Sequence, residues 1–432
     1  MKKIIRFWLK NLAQKFIKKY RPRVIGITGS IGKSSSKEMT YAILKDHFEV
    51  RRTIKNYNNE LGVPLTILGR LSPGKSLAGW LRVLWMAWGG LIFREISYPK
   101  ILVLEMGVDR LGDMKYLHTI VRPEIGVITA IAPAHLEFFG SIENIVREKQ
   151  LLITSLPSSG WAVLNADDDL VWGMKDHVKV KIISFGFSER ADVRVMEYEL
   201  DQQIEDNTTK INGIRMKIQY HGSVVPIFLP KIISRSQVYA VLAAISVGIV
   251  FDLNLIEISE SCGKCEAVKG RMNLVAGINQ SLIIDDTYNA SPTATEAALS
   301  NLLEIEKASQ ARRIVVLGDM LELGRNSVEY HQNVGESEFI NDIDLLITIG
   351  ELAKDIAEGA KKDKENLKKT LSFEQQSEAI EFLKNNIKKG DIILVKGSQG
   401  ARMEKVVQAI MAEPQRAKNL LVRQDSMWGD KI

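Results

Sequence analysis

The chain has 432 residues, 45% hydrophobic and 25% charged, with a net charge of +6. This length supports two or three domains with sizeable cores, and the composition is that of a soluble globular protein without repeats or low-complexity tracts. Nine lysines and arginines and no acid fall in the first 23 residues, so the remainder is slightly acidic, which argues against a broad nucleic-acid surface. The only cysteines, Cys262 and Cys265, rule out a disulfide framework and fit a reducing compartment.

Residues 2–20 read as a basic amphipathic helix. At 100° per residue Ile5, Trp8, Leu9, Leu12, Phe16 and Tyr20 share one face, opposite Lys3, Lys10, Gln14 and Lys18. The run is too charged for a secretory segment and too short to span a bilayer. It either docks on the protein body or lies in a membrane interface with its lysines on anionic lipid.

Val24 to Ser35 follows, a β-branched segment that enters a glycine-rich turn and then a helical pattern through Leu44. Strand, glycine loop and helix start suit a nucleotide triphosphate. Backbone N–H groups of Gly29, Ser30, Ile31, Gly32, Lys33, Ser34 and Ser35 would face phosphate oxygens. Lys33 would reach the β/γ-phosphates and the Ser34 hydroxyl would hold Mg²⁺. ATP is the expected nucleotide. The glycines stand at 26, 29 and 32, with Ile27 where the strict P-loop spacing has glycine.

Leu77 to Phe93 holds three tryptophans and one charge, Arg82. As a helix it is about 25 Å long, short of the ~30 Å hydrocarbon core. It reads as a buried helix or as an interfacial one, since tryptophan favours membrane interfaces. Peripheral membrane contact through residues 1–22 and 77–93 is therefore expected.

From Pro99 the pattern is α/β. Ile101–Leu104 ends in Glu105, and Ile125–Thr129 leads through Pro133 to His135. Buried strands with charged residues at their C-terminal ends suit a parallel sheet with its ligand crevice there. Val193–Met196, Ile211–Met216 and Val224–Leu229 read as antiparallel strands, and Val238–Val250 as a buried helix. The lone C-x-x-C at 262–265 reads as structural thiols in a linker rather than a zinc or redox site. Strands at 282–286, 313–318, 344–350 and 391–397, separated by helical patterns, form a second, Rossmann-like unit. The expected fold is α/β: a P-loop central domain (23–268) with a mostly parallel sheet and a small antiparallel portion, then a Rossmann-like C-terminal domain (269–413). Residues 1–22 precede them as a helix and 414–432 follow as an extended tail.

Five stretches in this order resemble the Mur ligase family: the glycine loop, Asn56-Tyr57-Asn58-Asn59-Glu60-Leu61-Gly62-Val63-Pro64, Glu105-Met106-Gly107 with Gly112-Asp113, Asp285-Asp286-Thr287-Tyr288-Asn289-Ala290-Ser291-Pro292, and Leu317 to Gly324. Lys396-Gly397-Ser398 and Met403-Glu404 extend the likeness, which covers about residues 22–412. The resemblance is greatest to the type that adds D-alanyl-D-alanine to UDP-N-acetylmuramoyl-tripeptide. It implies an ATP-dependent, ADP-forming amide ligase of peptidoglycan biosynthesis, acting through an acyl phosphate in the cytoplasm. It implies Glu105 and His135 as Mg²⁺ ligands and Lys149 as a lysine that is carbamylated to help hold a second Mg²⁺, where the plainer reading is a solvated helical lysine beside Glu148. It implies that Arg271 reaches the ATP phosphates, so that Lys33, Lys149, Arg271 and His135 form the catalytic set. Asp286 and Tyr288 contact the nucleotide on the same grounds. Asn58, Asn59, Asn289, Ser291, Lys396 and Ser398 are the candidate substrate contacts, and His331 resembles a family position or is a helix-surface histidine.

Two departures alter these expectations. Where the family has a His-Asn-x-x-Asn run beside adenine, this chain has Ser236-Gln237-Val238-Tyr239-Ala240, leaving Gln237 to bond the base. Family members also carry about 80–100 residues before the glycine loop, a UDP-gripping domain, where this chain has the basic helix. The expected acceptor is accordingly a UDP-linked precursor whose UDP handle is bound in another way or by a separate protein, or a lipid-linked or non-peptidoglycan carboxylate. A non-catalytic membrane-associated scaffold is the remaining alternative.

Overall fold

The computed structural model describes residues 2–54, 57–93, 97–133, 136–362 and 369–424. His135 and Asn56 lie outside them. Among the described residues the strands form two sheets. The first comprises β1 (Arg23–Thr28), β2 (Val50–Arg52), β3 (Ile101–Glu105), β4 (Ile125–Ile128), β5 (Trp161–Asn165), β6 (Lys181–Gly186), β7 (Val193–Glu205), β8 (Thr208–Tyr220) and β9 (Ser223–Pro230), in the order β2-β3-β1-β4-β5-β6-β7-β8-β9. It is parallel from β2 through β7, and β8 and β9 add antiparallel. The antiparallel portion is thus a continuation of the nucleotide sheet.

The central strands are short and apolar because helices cover both faces. On one face α2 (Lys33–Leu44) buries Met39, Ile43 and Leu44 against α9 (Arg235–Val250), a helix so apolar that Val238, Val241, Leu242, Ile245 and Val247 are all fully buried. On the other face lie α1 (Lys2–Tyr20), α3 (Gly62–Leu68), α4 (Leu77–Ile92), α5 (Asp113–His118), α6 (Leu136–Phe139) and α7 (Ile142–Thr154). The four-residue α8 (Asp169–Trp172) follows β5.

The amphipathic reading of α1 has a direct outcome. Ile5, Leu9, Leu12, Ala13 and Phe16 enter the same core as Val24, Leu102 and Leu104, so the helix docks on the body. Each large side chain buried there contributes about 1.5–3 kcal/mol. Trp8 departs from the expected face and is exposed. α4 is half-buried, through Trp80, Val83 and Ala87.

The second sheet comprises β10 (Asn273–Ala276), β11 (Leu282–Asp286), β12 (Arg313–Gly318), β13 (Leu345–Ile349), β14 (Thr370–Phe373) and β15 (Ile392–Lys396), in the order β10-β11-β15-β12-β13-β14. All pairs but β10–β11 are parallel. At its strand ends Asp286, Lys396 and Leu317 stand in one row, with Gly318 one residue beyond. The tail is not extended throughout: Ala417–Leu420 is helical, Leu421 is buried, and Arg423 pairs with the buried Glu404.

Candidate active site

The sheet register gathers the first half of the site. Ile27 pairs with Glu105 on one side and Val127 on the other, so the C-terminal ends of β1, β3 and β4 emerge side by side. The loop after β1 turns at Gly29 (φ 151°) and Gly32 (φ 87°). At Gly29 a Cβ would lie 2.0 Å from Thr129 Oγ1, which excludes any side chain. Thr129 Oγ1 donates to Ile31 O at 2.5 Å, Ser30 N to Ala130 O at 2.6 Å and Ser30 Oγ to Ala132 O at 2.9 Å, fixing the loop to the strand beside it. Lys33 opens α2, so the positive end of a 12-residue helix faces the loop, with Ser34 and Ser35 in its first turn.

Two lysines meet on one carbonyl. Lys33 Nζ donates to Gly29 O at 2.7 Å and to Ser30 O at 3.1 Å, and Lys149 Nζ donates to Gly29 O at 3.0 Å. Lys149 is 3% exposed, so it is not a solvated helical lysine. Its neighbour Glu148 turns the other way, accepting from Gly112 N and Met114 N at the start of α5. Burial pushes both lysines below the ordinary value of 10.5. For Lys33 the Glu105 charge opposes that shift; for Lys149, pushed well down, the Lys33 charge adds to it.

Glu105 is buried, with its backbone N–H held by Thr53 Oγ1 at 3.0 Å. Asn58 Nδ2 donates to its Oε1 at 3.0 Å. Its Oε2 has no hydrogen-bond partner among the described residues, and Lys37 Nζ stands 3.8 Å away. A buried carboxylate oxygen left in this condition fits a hard divalent cation. Among the described residues no three His, Cys, Asp or Glu side chains cluster around a metal position. Lys37 is the residue the sequence reading missed. It lies one turn after Lys33 on the same helix face, and that i, i+4 spacing was the available signal.

The second half of the site comes from the junction. The Arg271 guanidinium stacks over the Tyr288 ring at 4.1 Å, and its Nη2 lies 3.4 Å from Ser34 Oγ. Asp286 accepts from Met272 N at 3.1 Å and from Lys396 Nζ at 2.6 Å.

Several candidate contacts are engaged elsewhere. Lys396 is buried and also donates to Asn289 O at 3.0 Å. Ser398 Oγ accepts from Leu321 N and donates to Ala290 O. Both thus frame the 286–291 loop. Asn289 is exposed, its Oδ1 accepting from Gln399 N, and Ser291 starts the helix Pro292–Leu303 without a side-chain cap. Asn59 is exposed and its Oδ1 accepts from Leu61 N and Gly62 N, opening α3. His331 is fully buried, its Nε2 accepting from Met320 N at 3.0 Å, so it is not a surface histidine.

A cavity of about 380 Å³ adjoins the glycine loop, lined by Ile31, Gly32, Thr129, Asn165, Asp167 and Tyr239 among others. Gln237 does not line it. Its Oε1 accepts from Ile233 N and Ser234 N in a capping box, and its Nε2 donates to Arg271 O and Met272 O. Both ends of the amide are thus engaged at the junction rather than turned to the cavity. Tyr239 lines the cavity instead, its hydroxyl donating to Asp167 Oδ2 at 2.8 Å.

A glycine loop at a parallel strand end, a lone carboxylate oxygen beside it and an arginine crossing from a second α/β unit define an ATP-dependent ligase. The family model of the Mur ligase middle domain matches residues 27–76 and 92–248, and that of the Mur ligase, glutamate ligase domain, matches residues 270–399. The chain belongs to the Mur ligase family. It is 30% identical to the UDP-N-acetylmuramoyl-tripeptide--D-alanyl-D-alanine ligase of Escherichia coli (strain K12), over 90% of this chain and 76% of that protein. The Bacillus subtilis (strain 168) ligase of the same name is 29% identical over 94% and 79%. Among solved structures, MurF from Acinetobacter baumannii superposes with a TM-score of 0.76 at 27% identity, covering 93% of this chain and 79% of that one. MurF ligase from Thermotoga maritima in complex with ADP gives 0.74 at 26%, covering 94% and 84%.

Proposed function

We propose that this ligase joins D-alanyl-D-alanine, or a similar amino compound, to the carboxylate of a UDP-N-acetylmuramoyl-peptide, building a peptidoglycan precursor in the cytoplasm. The names of the similar ligases support the substrates, and the observation that carries the chemistry is the approach of Lys33, Ser34, Glu105 and Arg271 around one loop.

An acceptor carboxylate oxygen attacks the γ-phosphorus of ATP, ADP leaves, and an acyl phosphate forms. The amine nitrogen then attacks the acyl carbon, the tetrahedral oxyanion collapses, phosphate departs, and the nitrogen loses a proton to give the amide. The first step brings an anion to a polyanion, so fixed cations supply most of the catalysis. Lys33 and Arg271 flank the phosphates, and the N–H groups of residues 29–35 add aligned dipoles. Ser34 and Glu105, with His135, would hold Mg²⁺, which supplies charge neutralisation at the phosphate oxygens. Lys149 is read as carbamylated: its amine adds CO₂ and releases a proton, giving a carboxylate for a second Mg²⁺. Its depressed basicity supports this, because the neutral amine is the form that reacts with CO₂. Asp286 and Tyr288 are the nucleotide contacts from the second sheet, and Asn58, Asn289 and Ser291 the substrate contacts. Closing the two halves on ATP would keep water from the acyl phosphate.

The second reading is a lipid-linked acceptor, favoured by the exposed apolar side chains Trp85, Ile92 and Phe93. As part of the function, the protein contacts the membrane peripherally through residues 1–22 and 77–93.

The test is ADP and phosphate release with D-alanyl-D-alanine and either a UDP-linked or a lipid-linked tripeptide, with hydroxylamine added to trap the acyl phosphate. Stoichiometric ADP and amide, and a hydroxamate when the amine is omitted, are expected. Turnover with neither acceptor, or amide without a trappable intermediate, would overturn the reading.

A further inference from the structure

Two helices present apolar faces that the rest of the described protein leaves open. Along α4, Leu77, Leu81, Trp85, Trp88 and Ile92 recur at helical spacing on the outward side, Trp85 at 77% exposure, with Phe93 just beyond. On α1, Ile4, Phe7 and Trp8 are exposed in the first turns. The opposite sides of both helices enter one core, through Leu9, Leu12 and Phe16 of α1 and Trp80, Val83 and Ala87 of α4. Their C-terminal halves touch, with the Lys15 ammonium 4.8 Å over the Trp88 ring and Lys19 Nζ donating to Leu91 O at 2.8 Å. The outward faces therefore flank one another on the same side of the domain. Apolar surface of this extent, gathered on one side, marks an interaction site on a soluble protein.

The charge identifies the occupant. α1 carries seven basic residues and no acid, α4 carries Arg82 and no acid, and Lys3, Lys15, Lys18 and Lys19 are exposed. A second copy of the chain would bring the same cations against these, whereas an anionic surface attracts them. Tryptophan and leucine side chains rimmed by lysines match the headgroup level of a bilayer, where indoles settle and ammonium groups meet lipid phosphates. No helix among the described residues is long and apolar enough to cross a membrane, so α4, about 24 Å long, would lie in the plane. The match to the middle-domain model begins at residue 27 and omits 77–91, which leaves out α1 and all of α4 but Ile92.

We propose that the outward faces of α1 and α4 form a docking surface for an anionic bilayer, with α4 lying among the headgroups and the α1 lysines on lipid phosphates. The inference deepens the membrane-contact part of the proposed function and rests on it, independently of the ligase chemistry.

The test is co-sedimentation of the full chain with vesicles of phosphatidylglycerol in phosphatidylcholine, and of phosphatidylcholine alone. The parent is expected to bind the anionic vesicles at least tenfold more strongly. The double variant Leu81→Gln/Trp85→Gln and the charge variant Lys3→Glu/Lys18→Glu are each expected to lose at least tenfold, with unchanged melting temperature and ADP release in vesicle-free buffer. Parent binding to neither vesicle would overturn membrane contact itself. Anionic binding that both variants retain would overturn this surface while leaving membrane contact standing. A dimer in solution that Leu81→Gln/Trp85→Gln dissolves would assign the face to a second copy instead.

Discussion

Lys37 Nζ lies 3.8 Å from Glu105 Oε2, and both side chains are 3% exposed. Lys37 also reaches Glu38 at 3.0 Å, so one buried ammonium links the carboxylate of β3 to the helix that follows the nucleotide loop. Asn58 donates to Oε1, while Oε2 faces the Lys37 ammonium without a hydrogen bond among the described residues.

Glu105→Gln keeps the shape and removes the charge. The Mg²⁺ concentration for half-maximal activity is expected to rise at least tenfold, and kcat to fall about 10²- to 10³-fold. Lys37 loses part of its compensation, at a cost of about 1–3 kcal/mol in urea unfolding. An unaltered Mg²⁺ titration would remove Glu105 from the metal site.

Lys149→Ala is expected to reduce kcat at least 100-fold, with partial recovery in added short-chain carboxylates, which would replace the carbamate oxygens. Full activity in this variant would end the carbamate reading.

The same lysine makes stability depend on pH. A lysine whose folded pKa lies below its unfolded value binds fewer protons folded than unfolded between the two, so stability rises with pH across that interval. For Lys33 and Lys149 the interval ends at 10.5. Melting temperature should climb from neutral pH toward pH 10, more steeply in the parent than in Lys149→Met. Parallel curves would show that Lys149 is not depressed.

Arg271→Lys removes the planar stack on Tyr288, worth about 0.5–1 kcal/mol, together with the reach to Ser34. A fall in kcat of about 10- to 100-fold with a raised KM for ATP is expected in steady-state kinetics. A KM change alone would assign Arg271 to binding only.

Lys396→Met leaves Asp286 buried without its counter-charge, a loss of about 3 kcal/mol by urea unfolding. Asp286→Asn/Lys396→Met should recover much of that stability while remaining weak in ATP binding. If the double variant is as unstable as the single one, the ion pair is not what holds the loop.

The strands were legible wherever apolar runs ended in charge: Leu282–Asp286 and Arg313–Gly318 appear at the expected residues, because buried parallel strands need uninterrupted hydrophobic sequence. Glu105 followed from the same logic, since a strand end fixes where its next side chain emerges. Side chains on helices were harder. Gln237 has the right chemistry for a base, but the need to cap a buried helix start and to hold the junction claims its amide. Lys396 and Ser398 look like polar loop residues in sequence, and only the packing of β15 against β11 makes them internal supports. Arg423 gave no periodic signal at all. It is defined by three distant acceptors, Glu404, Thr287 and Tyr288, that the fold alone brings together.

Only Arg21 and Pro22 separate α1 from β1, and α1 shares its core with β1 and β3. A protease that removed the first helix would therefore bare the sides of α3 and α4 on which it packs, in the core that backs the nucleotide sheet. Shedding the helix and keeping the ligase are incompatible outcomes. Heating or denaturant should accordingly release the helix and melt the loop-bearing domain in a single transition, with no trimmed, active intermediate to accumulate.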